Sequence, residues 1–159
     1  MFQPEDLVAS GQAERLAQAR KSSGRDPGGL AHLLGISYEA YRDLESFDEE
    51  IVDTISYRQL LLLAGAVHLD LRSFFEAGDE MEAYAFADLA ARLNELGAVT
   101  VAALEDEVGW ELKEVLEKPD LFGELPAVAL ADIGGRFGLD WRSFLPPGAL
   151  ATGAAPGPE

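Results

Sequence analysis

The sequence predicts an all-α protein built from two similar helical bundles of about five helices each. Three observations carry that expectation. A seven-residue phrase occurs twice, as LDLRSFF at 69–75 and LDWRSFL at 139–145, and internal repeats of this kind set architecture before any motif does. Apolar residues recur at helical spacing between the two phrases, punctuated by glycines and capping residues. Nowhere do apolar and polar residues alternate with period two, so no sheet is expected.

The elements follow in order. Pro4-Glu5-Asp6 has the proline and acids of a helical first turn. Leu7, Val8, Leu16, Ala17 and Ala19 suggest one or two amphipathic stretches running to about Lys21, stopped by Ser22-Ser23-Gly24. Asp26 caps a second helix with Pro27 at its first position. Leu30, Ala31, Leu33 and Leu34 form its apolar face, and Gly35 ends it as a left-handed residue. Ser37 caps a third helix over 38–46, with Tyr41 and Leu44 inward. An acidic connection over 47–53 leads to a fourth helix, 56–67, and a short fifth follows Asp70, burying Phe74 and Phe75.

The second copy repeats that order. Phe86, Leu89 and Leu93 lead to Gly97; Thr100 caps a helix carrying Leu104 and Val108, ended by Gly109; Trp110, Val115 and Leu116 run to Pro119; and Leu130, Ile133 and Phe137 precede the second phrase. Gly35 and Gly109 are 74 residues apart, but Leu69 and Leu139 only 70, which places a four-residue shortening in the connection between third and fourth helices, where length changes are tolerated. The domains are therefore expected at 1–78 and 79–145, divided at Gly78-Asp79-Glu80, with 146–159 a disordered tail rich in Pro, Gly and Ala.

Composition narrows the function classes. With 48% hydrophobic residues the chain can bury a core, yet no apolar run approaches the ~18 residues of a membrane span. Cysteine is absent, which excludes disulfide and thiolate chemistry, and the first residues lack the basic flank of a secretory signal. A cytoplasmic protein with no membrane association is expected. The net charge of −17 argues against broad affinity for nucleic acid, which needs Lys and Arg to neutralise phosphates. Its distribution is uneven. Residues 11–37 carry four bases against two acids, a net of +2, whereas 38–80 carry three bases against eleven acids and 81–159 five against fourteen. The start of the first copy is the basic island.

The first copy resembles the helix-turn-helix domain of the lambda-repressor-like, or Xre, family of DNA-binding regulators. The residues that carry the likeness are Arg15-Leu16, Ala19-Arg20, Gly24, Leu30-Ala31, Leu33-Leu34-Gly35-Ile36-Ser37, Tyr41, Leu44-Glu45, Leu60, Leu63-Ala64, Leu69 and Phe74. They span roughly 11–76, and the second copy looks like a worn version over 85–145. The LAxxLGIS signal joins a helix face, a tight glycine turn and a capping serine in fixed order. The resemblance implies a structural ion pair between Arg20 and Glu45, positions where the family places an arginine late in the first helix and a glutamate at the end of the third. The second copy has Leu93 in place of Arg20 and Lys118 or Pro119 near the place of Glu45.

The resemblance also implies that the third helix enters the major groove with its N-terminal residues at base edges. That gives a DNA-facing patch of Arg20, Lys21, Arg25, Tyr38, Glu39 and Arg42, in which Arg42 reads guanine or holds a phosphate and Glu39 is able to accept from cytosine. Against it, Pro27 stands where the family has a phosphate-bracing glutamine, Asp43 replaces a usual base, and Asp48, Glu49 and Glu50 occupy a loop that often supplies phosphate contacts. The second copy carries Glu111, Glu114 and Glu117 on its equivalent helix, after Glu105, Asp106 and Glu107, and is not expected to touch DNA.

No enzyme chemistry is expected. His32 and His68 lack ligand-like neighbours and read as surface or capping residues, no HExxH or calcium loop is present, and no cofactor or metal is implied. Trp110 and Trp141 read as core anchors, Tyr38 and Tyr57 as exposed aromatics suited to an interface, and Gly134-Gly135 as close helix packing. Two readings stand side by side: a transcriptional regulator contacting double-stranded DNA through the first repeat only, and a DNA-silent acidic module that binds a basic protein partner, imitates the charge of DNA, or self-associates.

Overall fold

The computed structural model describes residues 3–77 and 81–146, and within them the protein is all-α. A 3-10 turn at Pro4–Leu7 precedes α1 (Gln12–Ser22), α2 (Pro27–Leu34), α3 (Tyr38–Leu44), α4 (Glu50–Asp53), α5 (Tyr57–Val67) and α6 (Leu71–Phe74). The second half runs α7 (Phe86–Asn94), α8 (Ala98–Val108), α9 (Lys113–Glu117), a 3-10 turn at Pro119–Glu124, α10 (Ala127–Gly135) and a 3-10 turn at Trp141–Phe144. The order repeats, with the two later 3-10 turns standing where α4 and α6 stand in the first half.

Local chemistry accounts for most boundaries. The carboxylate of Asp26 accepts from the Gly29 amide at 2.8 Å, Ser37 Oγ from Ala40 at 3.0 Å and Ser56 Oγ from Gln59 at 3.1 Å, so three helix starts have side-chain caps. Gly35 closes α2 at φ +70°, a conformation that a side chain would strain. The N-terminal segment holds two separate elements, as one of the two readings of its apolar residues allowed: Gly11, at φ +91°, separates the 3-10 turn from α1. Thr100 is the third residue of α8 and not its cap, because Gly97 at φ +84° already starts that helix. The acidic connection over 47–53 contains α4, whose Ile51 and Val52 are buried. The boundary at 78–80 and nearly all of the tail at 146–159 lie outside the described residues.

The buried apolar side chains form one core that runs through both halves, from Leu16, Leu30 and Tyr41 to Phe122, Leu130 and Trp141. Contacts across the middle are reciprocal. α5 packs on the turn Pro119–Glu124, and α10, its counterpart, packs on α4. At the centre, the Tyr57 amide donates to the Leu125 carbonyl at 2.8 Å, in an isolated antiparallel bridge between Ser56 and Pro126, which are themselves counterparts.

The repeated phrase supplies the second reciprocal contact. Arg72, almost wholly buried, donates to the carbonyls of Leu145 (3.2 Å), Ser143 (3.3 Å) and Met81 (2.8 Å) in the second half. Arg142 donates back to the carbonyls of Phe75 (2.9 Å) and Glu76 (3.2 Å). Each closing turn is thus completed by the arginine of the other. Around this seam Phe75 meets Trp141 edge to face at 4.8 Å, and the Tyr57 hydroxyl donates to the Phe144 carbonyl. Tyr57 is therefore a core residue and not an exposed aromatic. Burial and a peptide-carbonyl partner explain why a tyrosine fits there. The tryptophans divide: Trp141 is buried, whereas Trp110 is exposed in the turn before α9.

Candidate functional site

Of the residues singled out for DNA contact, Tyr38, Glu39 and Arg42 lie on α3 of the α2–turn–α3 unit, Arg20 and Lys21 on α1, and Arg25 between α1 and α2. Leu30, Ala31 and Leu34 anchor α2, and Tyr41 and Leu44 anchor α3. The Gly35 turn is tied back by the Ile36 amide, which donates to the Ala31 carbonyl at 3.0 Å. Because 41 and 44 point inward, helical periodicity turns Tyr38, Glu39, Arg42 and Asp43 outward, and all four are exposed. Arg42 Nη1 donates to the Tyr38 hydroxyl at 3.0 Å, one turn earlier, and its guanidinium lies 5.8 Å from that ring's centre. The aromatic ring and the cation form one exposed unit, geometrically able to meet a phosphate or a base edge.

Arg20 does a different job. Its Nε donates to Glu45 Oε2 at 2.6 Å and its Nη2 to Oε1 at 3.1 Å, while Nη1 donates to the Arg25 carbonyl at 3.1 Å. The Tyr41 hydroxyl donates to the same Oε2 at 2.6 Å. The Glu45 hydrogen bond holds the Arg20 guanidinium above its ordinary pKa, and burial, then the Glu45 carboxylate, push the Tyr41 phenol far up. This forked, largely desolvated pair ties α1 to α3 and leaves Arg20 little freedom to reach a ligand. Lys21 and Arg25 remain exposed at the α1–α2 junction.

The acids are arranged differently from the expected repulsive loop. Asp48 turns away from α3 and accepts from the Gly11 amide at 3.1 Å and the Ala13 amide at 2.8 Å. It caps α1 from 35 residues away, a role with no local sequence signal. Glu50 is half-buried; desolvation first, then Asp43, Asp53 and Glu49, raise its carboxyl above the usual range, while a hydrogen bond from Thr54 pulls it down. Asp43 thus shares its field with α4. The Asp26 carboxylate covers the first turn of α2, the place where free amides would otherwise attract a phosphate.

In the second half Leu93 fills the place of Arg20 and is fully buried, so apolar packing replaces the ion pair. The exposed side of α9 carries Lys113, Glu114 and Glu117. Glu105 accepts from the Leu112 amide at 2.5 Å, a further acid with a structural task. His32 is exposed on α2, and His68 ends α5 in the left-handed region at φ +56°. Among the described residues no three His, Cys, Asp or Glu side chains gather as a metal site, and no helix is long and apolar enough to cross a membrane. No protein-family model, curated protein or solved structure matches this chain.

Proposed function

We propose that this chain is a non-enzymatic regulatory protein of the Xre type, in which the helix-turn-helix of the first half reads double-stranded DNA. The observation that carries the reading is the exposed Tyr38–Arg42 unit, which runs from the first residue of α3 to its last turn and is presented by two helices joined through a glycine turn and a serine cap. Arg42 is the base-reading or phosphate-holding cation, Tyr38 orients it, and Lys21 and Arg25 add phosphate contacts at the edge. Arg20 belongs to the scaffold. Fluorescence anisotropy with mixed-sequence duplex DNA at ~50 mM salt tests this, because phosphate contacts are strongest when few counterions compete. Saturable binding that weakens in Arg42→Ala supports the reading; no binding at that salt refutes it.

A second reading is favoured by the charge of the same face. Asp26, Glu39 and Asp43 balance Lys21, Arg25 and Arg42 there, and a face without net positive charge gains nothing from counterion release. On that reading the helix-turn-helix is a DNA-silent scaffold for binding a basic protein. A protein that ignores DNA but retains a saturable basic partner supports it.

A further inference from the structure

The cleft beside the central bridge stands apart from the α3 face. It has a volume of about 470 Å³ and lies where α5 passes the turn before α9. Two of its walls are large apolar side chains left in water: Leu62 on α5, 47% exposed, and Trp110, 39% exposed. Their helical neighbours Leu60, Leu63 and Ala64, and Leu112 after Trp110, are buried, so these two are the members of their segments that the fold leaves uncovered. Trp is among the residues whose burial most often dominates a protein interface, and here the indole and the Leu62 side chain line one cleft.

The rim fixes the chemistry of what would cover them. Asp53 and Glu124 line the cleft, and Glu111 is exposed next to Trp110. Arg58 is the one base in the lining, and it is already committed: its guanidinium pairs with the Glu124 carboxylate and donates to the Asp120 carbonyl at 3.0 Å. A second copy of this chain, with its net charge of −17, would bring acid against acid, and a nucleic acid would do the same. The floor is the Ser56–Pro126 bridge, held by the core of both halves, so the cleft is formed before any partner arrives.

We infer that the Leu62–Trp110 cleft is a docking site for a basic amphipathic protein segment, which seats an apolar side chain against Trp110 and Leu62 and sets Lys or Arg against the exposed carboxylates of Asp53 and Glu111. The site gives the basic partner of the second reading a place and rests on that reading, but not on DNA reading, since it shares no residue with the Tyr38–Arg42 face.

The test uses the full chain and three fluorescein-labelled synthetic twelve-residue peptides: one of Lys and Leu in amphipathic register, one with its Leu replaced by Ser, and one with its Lys replaced by Glu. The expected result is saturable binding of the Lys-Leu peptide alone, weakened by about ten-fold or more in Leu62→Ser and in Trp110→Ser. Both substitutions are on the surface, and circular dichroism confirms the fold. Leu33→Ser, at another exposed apolar site, and Arg42→Ala should leave peptide affinity unchanged. Equal binding of the Lys-Ser peptide, or undiminished binding by the Leu62 and Trp110 variants, would reduce the effect to charge and overturn the inference. So would a dimer, seen by light scattering, that Trp110→Ser dissolves, because the occupant would then be a second copy. Loss of DNA binding in Arg42→Ala with peptide binding intact separates this site from the reading helix.

Discussion

Replacing Arg72 with alanine removes a cation that three carbonyls of the other half depend on. Arg72 is 7% exposed, and its guanidinium donates to Leu145 at 3.2 Å, Met81 at 2.8 Å and Ser143 at 3.3 Å. Hydrogen bonds to charged groups contribute roughly 1.5–3 kcal/mol each, but the two longer bonds sit at the weak end and the vacated space readmits some water. A loss of about 3–5 kcal/mol follows, a large share of the roughly 5–15 kcal/mol that holds a domain folded. With a urea slope of about 2 kcal/mol per M, the midpoint should fall by about 2 M. Equilibrium urea unfolding followed by circular dichroism and by tryptophan emission measures it, since Trp141 packs against Phe75 at the seam. The control is Arg142→Ala. That side chain is 29% exposed and is shared with Asp140 at 2.7 Å, so its loss should cost about 1–2 kcal/mol. The two probes should coincide in a single transition, because the core is continuous. An Arg72→Ala variant no less stable than Arg142→Ala, or separate transitions for the two halves, would refute the reasoning.

Glu45→Ala should cost about 3–5 kcal/mol, seen as a drop of several degrees in Tm, because it strands the largely buried Arg20 and the Tyr41 hydroxyl together; an unchanged Tm would mean the pair is effectively solvated. Asp48→Ala should lower stability by about 1–2 kcal/mol and increase amide exchange at Gly11 and Ala13, the two donors it caps; exchange unaltered at both would show the cap to be dispensable. Burial raises the Tyr57 phenol from its ordinary 10.0 to about 12, against the opposing pull of Arg72. Since the folded state favours the neutral phenol, its contribution is complete below pH 10 and disappears as pH rises through about 12. Tyr57→Phe should therefore flatten the loss of stability between those values, and an unchanged pH slope would contradict the assignment.

What the sequence made legible was chemistry acting within a few residues. Asp26 and Ser37 mark helix starts because each acts on an amide three positions away, and Gly35 marks an end through its own dihedral. The inward pair Tyr41 and Leu44 follows from helical spacing alone, and that spacing also places Tyr38, Glu39 and Arg42 outward. Long-range partnerships left no such trace. Asp48 looked like one acid in an acidic loop, yet it caps a helix that begins 36 residues earlier. Arg20, expected both in the DNA-facing patch and in a pair with Glu45, is held by Glu45 through two hydrogen bonds, a partnership that the family likeness implied and that local spacing does not record. Trp110 and Tyr57 exchanged their expected environments because burial is decided by what the other half brings alongside, which local periodicity does not record. The helix at Glu50–Asp53 is a single turn, too short for any periodic signal.

The exchange of arginines has a consequence for the order in which the chain matures. Arg72 reaches Leu145, 73 residues onward. At a synthesis rate of roughly 5–20 residues per second, about 4–15 seconds separate the appearance of this side chain from that of its last acceptor. During that interval a guanidinium destined for the interior, and the apolar surface around Phe75, wait in water. The first half is thus born with an open seam, which closes only once Ser143 and Leu145 have been made.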